Sequence, residues 1–278
     1  MLPEILHRIF YGLLSGLTEF LPVGSQPHQL LYQHVTGFLE KEDPWLNFAV
    51  LAGAFAALIF CLLKQYAQIH HDIKLDRHAK RRKIRGQAAP GALTSRLYKT
   101  VMIPMLIACL FYGYAQRLKG SFPVMIILLV LNGIVVFIPR LLPIGDKDGK
   151  NISRLEGILF GLCAAAGIVP GLSRVGLGCA LGEARGAKPS YIINVILLAL
   201  VWPMALIVLF TLFGVMSSQV DVATGLIFAD LGAGVCSFGA AVGGISLLRW
   251  FVDKLGLYKF AFYSWVLALV LFILYMFV

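Results

Sequence analysis

The chain has 278 residues, of which 59% are apolar and 14% are charged, and its net charge is +10. A mean hydropathy of +0.83 lies well outside the range of soluble globular proteins, so a membrane protein is expected. The positive charge does not indicate nucleic-acid binding, because ten of the 24 Lys and Arg residues lie in one polar segment, 64–99. A basic segment beside membrane spans is typical of contact with anionic lipid headgroups.

Most of the chain consists of long apolar runs. A spanning helix needs about 20 consecutive apolar residues, and six runs are of that order, one of them interrupted only by Asp230. We therefore predict six transmembrane helices, at 44–63, 100–116, 120–139, 189–220, 222–248 and 260–278.

Two further apolar stretches carry ionisable side chains near their centres. Residues 1–38 contain Glu19 and His28, and residues 155–183 contain Arg174. A charge near the bilayer centre costs about 2.5 to 3.5 kcal/mol on insertion scales, so such residues mark functional sites by default. Proline and glycine lie close to each charge, and both break or bend helices. We predict two re-entrant helical hairpins whose breaks meet, because broken backbone at membrane depth must be buried in protein or line a water-filled cavity.

The two hairpins divide the chain into halves of similar plan. Pro22 and Ser25 match Pro170 and Ser173 as P-x-x-S, at a constant offset of 148 residues (170 − 22 and 173 − 25). Hairpins that enter from opposite sides, each followed by three spans, form the inverted-repeat plan of many transporters. We therefore predict an all-α polytopic membrane protein, an inverted-topology repeat of six transmembrane helices and two re-entrant hairpins. The predicted halves are 1–150, with hairpin 1–38 and the basic loop 64–99, and 151–278, with hairpin 155–183.

The distribution of Lys and Arg predicts the orientation of the chain. If the loop 64–99 is cytoplasmic, alternation also places 140–154 and 249–259 in the cytoplasm, and both carry several Lys and Arg residues. The segment 217–223 then falls outside, and it contains Asp221 but neither Lys nor Arg. The short turn from Arg117 to Lys119 is an exception, because it falls outside with two positive charges. The rest of the pattern obeys the positive-inside rule and predicts an extracytoplasmic C-terminus.

The polar residues at the two breaks suit a ligand that carries phosphate. Arg174 can bind phosphate oxygens through two parallel hydrogen bonds, His28 can transfer protons or attack phosphorus, and Glu19 can hold a divalent cation. If the hairpins meet, Ser25 of the first break also faces Ser173 of the second, and helix N-termini after each break favour an anion. The simpler alternative is that Glu19 and Arg174 only form a buried ion pair that pins the hairpins together.

Two motifs carry a family resemblance. The segment GLTEFLPVGSQPH at 16–28 resembles the motif G-L-T-E-F-L-P-[IV]-S-S-T-G-H of the bacitracin-resistance family of undecaprenyl-diphosphate phosphatases. The segment VPGLSRVG at 169–176 resembles that family's P-G-x-S-R-S-G. Weaker similarity runs through 47–60, 197–204 and 260–268 in the family's order, so the likeness covers nearly the whole chain.

The resemblance implies a fold and an activity. The fold is an inverted repeat of two re-entrant hairpins and six spans, in agreement with the plan predicted above. The activity is that of a hydrolase, which removes the terminal phosphate from undecaprenyl diphosphate and so recycles the monophosphate lipid carrier for cell-wall peptidoglycan synthesis. The implied location is the bacterial plasma membrane, and the implied partner is a polyprenyl diphosphate or phosphate lipid. A homodimer is left open.

The resemblance also implies site residues. Glu19 matches the second acid of the family's E-x-x-x-E pair, which is associated with a divalent cation. Ser25 and His28 match residues with catalytic or phosphate-handling roles, and Ser173 with Arg174 matches the phosphate-binding pair. The predicted catalytic residues are Glu19, Ser25, His28 and Arg174, the predicted phosphate-binding residues are Ser25, Gly171, Ser173, Arg174 and Gly176, and the predicted ligand of Mg²⁺ or Ca²⁺ is Glu19.

The chain departs from the family's motifs at several positions. Ser15 stands where the family has the first acid of E-x-x-x-E, so the affinity for a divalent cation should fall. The family's Tyr-Arg near the last span is Tyr263 followed by Ser264. Further differences from the two motifs lie at Gly24, Gln26, Pro27 and Val175. These changes preserve phosphate binding better than hydrolysis.

Two functions therefore stand as alternatives to the phosphatase. The first is a transporter or flippase for a polyprenyl phosphate, which the inverted repeat and the loss of acid and hydroxyl groups both favour. The second is a catalytically inactive lipid-binding protein. Release of phosphate distinguishes the phosphatase from both, and movement of a labelled lipid between leaflets distinguishes the transporter.

Overall fold

The structure of the chain, a computed structural model, describes residues 2–38, 43–81, 90–217 and 224–277. Within those ranges helices account for most residues, and the only extended pairing is a single bridge between Lys147 and Ala187. This confirms the all-α fold class. The helices are α1 (Leu2–Glu19), α2 (Gln26–Thr36), α3 (Pro44–Arg81), α4 (Pro90–Cys109), α5 (Tyr112–Gln116), α6 (Phe122–Phe137), α7 (Arg154–Ala166), α8 (Arg174–Ala184), α9 (Pro189–Ser217), α10 (Thr224–Lys254) and α11 (Lys259–Met276), with a 3₁₀ turn (Ile138–Leu141) after α6. The predictions for 82–89 of the basic loop, 218–223 of the outer segment and Val278 fall outside the described residues.

Five of the six predicted spans are helices long and apolar enough to cross a bilayer. They are α3, α6 with its 3₁₀ turn, α9, α10 and α11. An α-helix satisfies its backbone hydrogen bonds internally, which is the condition for crossing hydrocarbon. The chain is therefore an integral membrane protein.

The sixth predicted span, 100–116, is not a single helix. It begins inside α4 and ends with α5, and a turn of i→i−3 hydrogen bonds separates these two helices. Arg96 and Lys99 lie inside α4, so the helix begins before the uncharged run does. The prediction of one uninterrupted helix over 100–116 is therefore wrong, because the chain turns after Cys109. A membrane crossing by α4 stays a prediction.

The predicted polar loop, 64–99, is wrong over most of its length. α3 continues to Arg81, and α4 begins at Pro90. Between residue 64 and the end of α3 the chain has neither Pro nor Gly, and its Lys, Gln and Arg residues are good helix formers. Asp72 on this extension accepts a 2.9 Å hydrogen bond from the backbone N–H of Gly91, which ties α3 to the start of α4.

The two predicted hairpins are present as helix pairs, α1 with α2 and α7 with α8, and each pair is in contact. α2, α7 and α8 have 11, 13 and 11 residues. At 1.5 Å per residue they reach at most about 20 Å, which is less than the roughly 30 Å of bilayer hydrocarbon. These three helices are too short to span, as re-entrant segments must be, and their re-entry into a membrane stays a prediction.

The hairpins pack against the long helices in a matching way. α10 packs along α1 and α3, and α4 packs along α7 and α9. A Cβ on Gly16 of α1 would lie 2.3 Å from the carbonyl oxygen of Ser237, and one on Gly161 of α7 would lie 2.2 Å from that of Val101. Small residues at such close crossings are typical of helix pairs in membranes. Both hairpins are thereby held against the same central group of helices.

Candidate functional site

Two helix breaks meet inside the molecule. Residues 20–25 separate α1 from α2, and residues 167–173 separate α7 from α8. Ser25 and Ser173 are the N-cap residues of α2 and α8. The amino-terminal ends of both helices therefore lie at the breaks, where their partial positive charge favours an anion.

A polar contact between three residues joins the breaks. Glu19 Oε1 accepts a 2.6 Å hydrogen bond from Nη2 of Arg174, and Glu19 Oε2 accepts a 2.5 Å hydrogen bond from Oγ of Ser25. The side chain of Glu19 is 8% exposed and that of Arg174 is 20% exposed. Charge-assisted hydrogen bonds of this length are among the stronger ones in proteins. The sequence-based expectation that these residues meet is confirmed.

Asn132 of α6 holds the two breaks together from behind. Its Oδ1 accepts a 2.9 Å hydrogen bond from the backbone N–H of Ser173, and its Nδ2 donates a 2.8 Å hydrogen bond to the carbonyl oxygen of Pro22. Ser173 adds a direct link, because its Oγ donates to the carbonyl oxygen of Leu21 at 2.9 Å. Asn132 is completely buried. The sequence analysis missed it, although a single amide in the apolar run 120–139 was a signal.

The Glu19–Arg174 pair lines a cavity of about 330 Å³. Ser25, Ser173 and Gly171 of the two breaks line it too, and their predicted contact with phosphate stays a prediction. Gly171 has a φ of +95°, in the left-handed region that favours glycine. The apolar part of the wall comes from α3, α9 and the second break, with Val50, Leu51, Ala54, Ile168, Leu172 and Ile207. An ion pair that served only to pin the hairpins would not need such a cavity.

His28 lies away from the cavity wall. Its Nδ1 is 2.8 Å from the carbonyl oxygen of Gly24, and its Nε2 is 2.8 Å from the hydroxyl of Tyr263. The two rings stack at 5.6 Å between centroids, and His28 is 4% exposed. The structure therefore places His28 where it holds the first break against α11, and its predicted catalytic role stays a prediction.

Gly176 is also absent from the cavity wall. Its backbone N–H donates a 3.1 Å hydrogen bond to Oγ of Ser173, and a Cβ at this position would lie 3.1 Å from Cα of Pro22. This glycine allows the two breaks to approach each other. Its N–H is bonded to the side chain that caps α8, and its predicted contact with phosphate stays a prediction.

The residues around Glu19 do not fit the predicted divalent-cation site. Both carboxylate oxygens of Glu19 are hydrogen-bonded to side chains of the protein, and Oγ of Ser15 accepts a 3.0 Å hydrogen bond from Gln29. Mg²⁺ and Ca²⁺ require several oxygen ligands and are usually held by carboxylates. Within the part of the chain that the structure describes, no three Asp, Glu, His or Cys residues lie close enough to hold an ion. The site supplies one carboxylate, and Arg174 already pairs with it.

The cavity wall also contains polar residues that the sequence analysis did not single out. Nε2 of Gln26 donates a 3.1 Å hydrogen bond to Oε1 of Gln116 in α5. Gln116, Tyr112 and Lys119 all line the cavity. The sequence feature that could have identified them is the change from apolar to polar residues at the end of the run 100–116. Only the fold brings this segment to the first break.

A second buried polar cluster lies on α1. Nη1 of Arg8 donates a 2.7 Å hydrogen bond to Oδ2 of Asp43 and another to Oδ1 of Asp230. Arg8 and Asp230 are each 4% exposed. The cluster ties α1 to α10 and to the segment before α3. Arg8 and Asp230 each stand out in the sequence as a charge within an apolar segment. They lie 222 positions apart, so the sequence gave no reason to pair them.

The chain is similar to known proteins over almost its whole length. A family model described as "Bacitracin resistance protein BacA" matches residues 8–270. A protein named "Undecaprenyl-diphosphatase" from Methanobrevibacter smithii is 27% identical over 296 residues, which cover 97% of each chain. Proteins of the same name from Syntrophotalea carbinolica and Idiomarina loihiensis are 28% and 26% identical. They cover 95% and 98% of this chain, and 97% and 99% of their own chains.

Proposed function

The chain belongs to the bacitracin resistance protein BacA family, and from that membership we propose that it is an undecaprenyl-diphosphate phosphatase. It hydrolyses the terminal phosphate and releases the monophosphate lipid, which is the carrier reused in peptidoglycan synthesis. The names of the three relatives above support this proposal. The structural observation that carries it is the contact of Glu19 with Ser25 and Arg174 on the cavity wall.

Arg174 is the main phosphate contact in this proposal. Its Nη2 is bonded to Glu19, whereas its Nη1 is buried and has no hydrogen-bond partner in the structure. A phosphate oxygen in the cavity would accept from Nη1, and the amino-terminal end of α8 would add a favourable dipole. Phosphoryl transfer depends chiefly on this kind of positioning and charge stabilisation.

Ser25 is the nucleophile in this proposal. Glu19 accepts the proton of Ser25, whose Oγ forms a bond to the terminal phosphorus. The bond between that phosphorus and the bridging oxygen breaks, and the lipid leaves as its monophosphate. Glu19 gives that proton to the bridging oxygen as the lipid monophosphate leaves, and is ionised again. In the second step Glu19 takes a proton from water, whose oxygen forms a bond to phosphorus. The bond between phosphorus and Oγ of Ser25 breaks, and Oγ takes the proton back from Glu19, which returns Ser25 and free phosphate. Ser173 and His28 position the two breaks through the hydrogen bonds described above.

We also propose the inverted-repeat plan and a plasma-membrane location with residues 64–99 toward the cytoplasm. The packing of α10 on α1 and α3, matched by that of α4 on α7 and α9, supports the repeat. By alternation, the ends of α3, α5 and α9 that line the cavity face the extracytoplasmic side. A reporter fused after Val278 should therefore read extracytoplasmic. The predicted binding of anionic lipids and the homodimer stay predictions.

The proposal is tested by phosphate release from a polyprenyl diphosphate by the purified protein in detergent. Ser25→Ala and Glu19→Gln should each lower the rate at least about 100-fold, as removal of one transition-state or nucleophile group does in other hydrolases. Ser246→Ala is the matched control, because Ser246 is exposed on α10. Equal rates for all three variants would refute the proposed site.

Absence of release from the unaltered protein would refute the proposed activity. Proteoliposomes then decide between the alternatives, because a transporter moves a labelled lipid phosphate between leaflets and an inactive binding protein does not. The names of the three relatives do not support the transporter.

A further inference from the structure

Two side-chain hydrogen bonds join α1 to α2 on the cavity wall, one helical turn apart. Oε2 of Glu19 accepts from Oγ of Ser25 at 2.5 Å, and Oγ of Ser15 accepts from Nε2 of Gln29 at 3.0 Å. Ser15 precedes Glu19 by four positions (19 − 15), and Gln29 follows Ser25 by four (29 − 25). All four residues line the cavity. The first bond belongs to the reaction proposed above, and the second has no role in it.

The bond to Gln29 fixes the direction of the Ser15 hydroxyl. Ser15 is 2% exposed and Gln29 is 9% exposed. A hydroxyl has one proton and two lone pairs, so Oγ of Ser15 keeps its own proton for another acceptor when it accepts from Gln29. Side chains four positions apart on one helix face have Cβ atoms about 5 to 6 Å apart. The Ser15 hydroxyl therefore lies beside the carboxylate of Glu19 on the cavity wall.

Glu19 gains a free acceptor once Ser25 carries phosphate. In the structure, Oε1 of Glu19 is bonded to Arg174 and Oε2 is bonded to Ser25. An Oγ that is bonded to phosphorus has no proton to donate, so Oε2 loses this partner before the second step begins. A water molecule in the cavity can then donate to Oε2 and accept from Ser15. Two hydrogen bonds of about 2.8 Å each match the spacing of Ser15 and Glu19 on the helix.

We infer that Ser15 is a catalytic residue of the second step, in which it holds the attacking water against Glu19, and that Gln29 positions Ser15. The water oxygen forms a bond to phosphorus while one of its protons passes to Glu19. The bond between phosphorus and Oγ of Ser25 breaks, and Oγ takes that proton from Glu19. Ser15 keeps its own proton throughout. The inference rests on the proposed function, because the water attacks the phosphoserine formed there.

The simpler role for the bond between Ser15 and Gln29 is to hold α1 against α2. Ser237 of α10 has such a structural role. It is completely buried, its Oγ donates a 2.8 Å hydrogen bond to the carbonyl oxygen of Val50, and it does not line the cavity. Ser237→Ala is therefore the matched control for Ser15→Ala, because it removes a buried serine hydroxyl away from the cavity.

The test measures how much of Ser25 is phosphorylated while the full chain, in detergent, turns over a polyprenyl diphosphate at saturating concentration. Acid stops the reaction and leaves phosphoserine intact, and mass spectrometry quantifies the phosphorylated peptide. Ser15→Ala should slow the second step alone, so the ratio of phosphorylated to free Ser25 should rise about tenfold, the size of one hydrogen bond. Ser237→Ala should leave this ratio unchanged. Ser15→Thr keeps the hydroxyl and should return the ratio close to that of the unaltered protein.

Gln29→Ala tests the positioning role. It leaves the hydroxyl of Ser15 in place but free to rotate, so the ratio should rise by less than in Ser15→Ala. Adding Gln29→Ala to Ser15→Ala should cause no further rise, because Gln29 acts through Ser15. Thermal midpoints of the variants show any loss of stability. A bond that only joined the two helices would lower the midpoint and leave the ratio unchanged.

The outcomes separate this inference from the proposed function. Equal ratios in Ser15→Ala and Ser237→Ala would overturn the inference and leave the phosphatase standing. Phosphate release without phosphoserine at Ser25 in any variant would overturn the inference and the nucleophilic role of Ser25, but not the activity. Neither phosphate nor phosphoserine from the unaltered protein would refute the proposed function and the inference with it. If Ser15→Ala does not fold, an unchanged ratio in Gln29→Ala overturns the inference and a raised ratio supports it.

Discussion

The carboxylate of Glu19 and the guanidinium of Arg174 are joined by a hydrogen bond of 2.6 Å, although 155 positions separate the two residues in the chain. Arg174 uses Nη2 for this bond, and its Nη1 is buried and makes no hydrogen bond in the structure. The pair thus holds the two hairpins together at the wall of the cavity.

Arg174→Lys should lower phosphate release at least about 100-fold, the scale of losing one preorganised donor. Lysine keeps the charge but has a single nitrogen, which cannot serve Glu19 and a phosphate in the same planar geometry. The measurement is kcat/KM for a polyprenyl diphosphate. A variant that matched the unaltered protein would show that the guanidinium fork is not required.

Asn132→Ala should lower the thermal stability of the protein in detergent. The change removes the side chain that is hydrogen-bonded to the backbone N–H of Ser173 and to the carbonyl oxygen of Pro22. Each buried group left unpaired costs about 1 to 3 kcal/mol. Unfolding can be followed by tryptophan fluorescence. Asn151→Ala, at an exposed position, is the control and should leave the midpoint unchanged. Equal midpoints for both variants would contradict the bridging role.

His28→Ala and Tyr263→Phe should be coupled in their effects on kcat. Each change removes the hydrogen bond between Nε2 of His28 and the hydroxyl of Tyr263, so the double variant should lose about 1 kcal/mol less than the sum of the single effects. Tyr275→Phe, on the same helix, is the control partner and should combine additively with His28→Ala. Additive effects in both pairs would show that Tyr263 does not position the histidine.

Gly167→Ala should disrupt the second break. A Cβ at this position would lie 2.3 Å from the backbone nitrogen of Arg174 and 2.5 Å from its Cα, so the start of α8 must move. A displacement of about 1 Å at a catalytic group can cost roughly 100-fold in rate. Gly239→Ala is the matched control, because a Cβ there meets no atom within 4 Å. Full activity in Gly167→Ala would contradict the described geometry.

Asp230→Ala should destabilise the contact between α1 and α10. It removes one acid from the buried Arg8, and breaking a buried ion pair costs at most about 3 to 5 kcal/mol. Asp43 still pairs with Arg8, which reduces the loss. Asp253→Ala, at an exposed position on the same helix, should leave the thermal midpoint unchanged. A midpoint for Asp230→Ala equal to that of the control would refute a stabilising role.

Local sequence features predicted much of this protein. Apolar runs located five spans, because transfer into hydrocarbon depends on composition over about 20 residues. Proline and glycine located both helix breaks, because they act on the backbone where they stand. The same features failed for α3 and α4, since a helix of polar residues continues through water beyond the membrane. Glu19 and Arg174 could be singled out because a charge in an apolar stretch is costly.

The sequence by itself therefore determined the membrane class, the helical fold, the two breaks and the charged residues within them. Only the tertiary structure decided which polar groups become neighbours: Asn132 behind both breaks, Tyr263 on His28, and Lys119 and Gln116 at the cavity. A hydrogen bond between distant segments requires a particular rotation and depth of each helix, and these depend on how all the helices pack. A polar residue in an apolar run shows that a partner is needed, and the packing determines which residue that partner is.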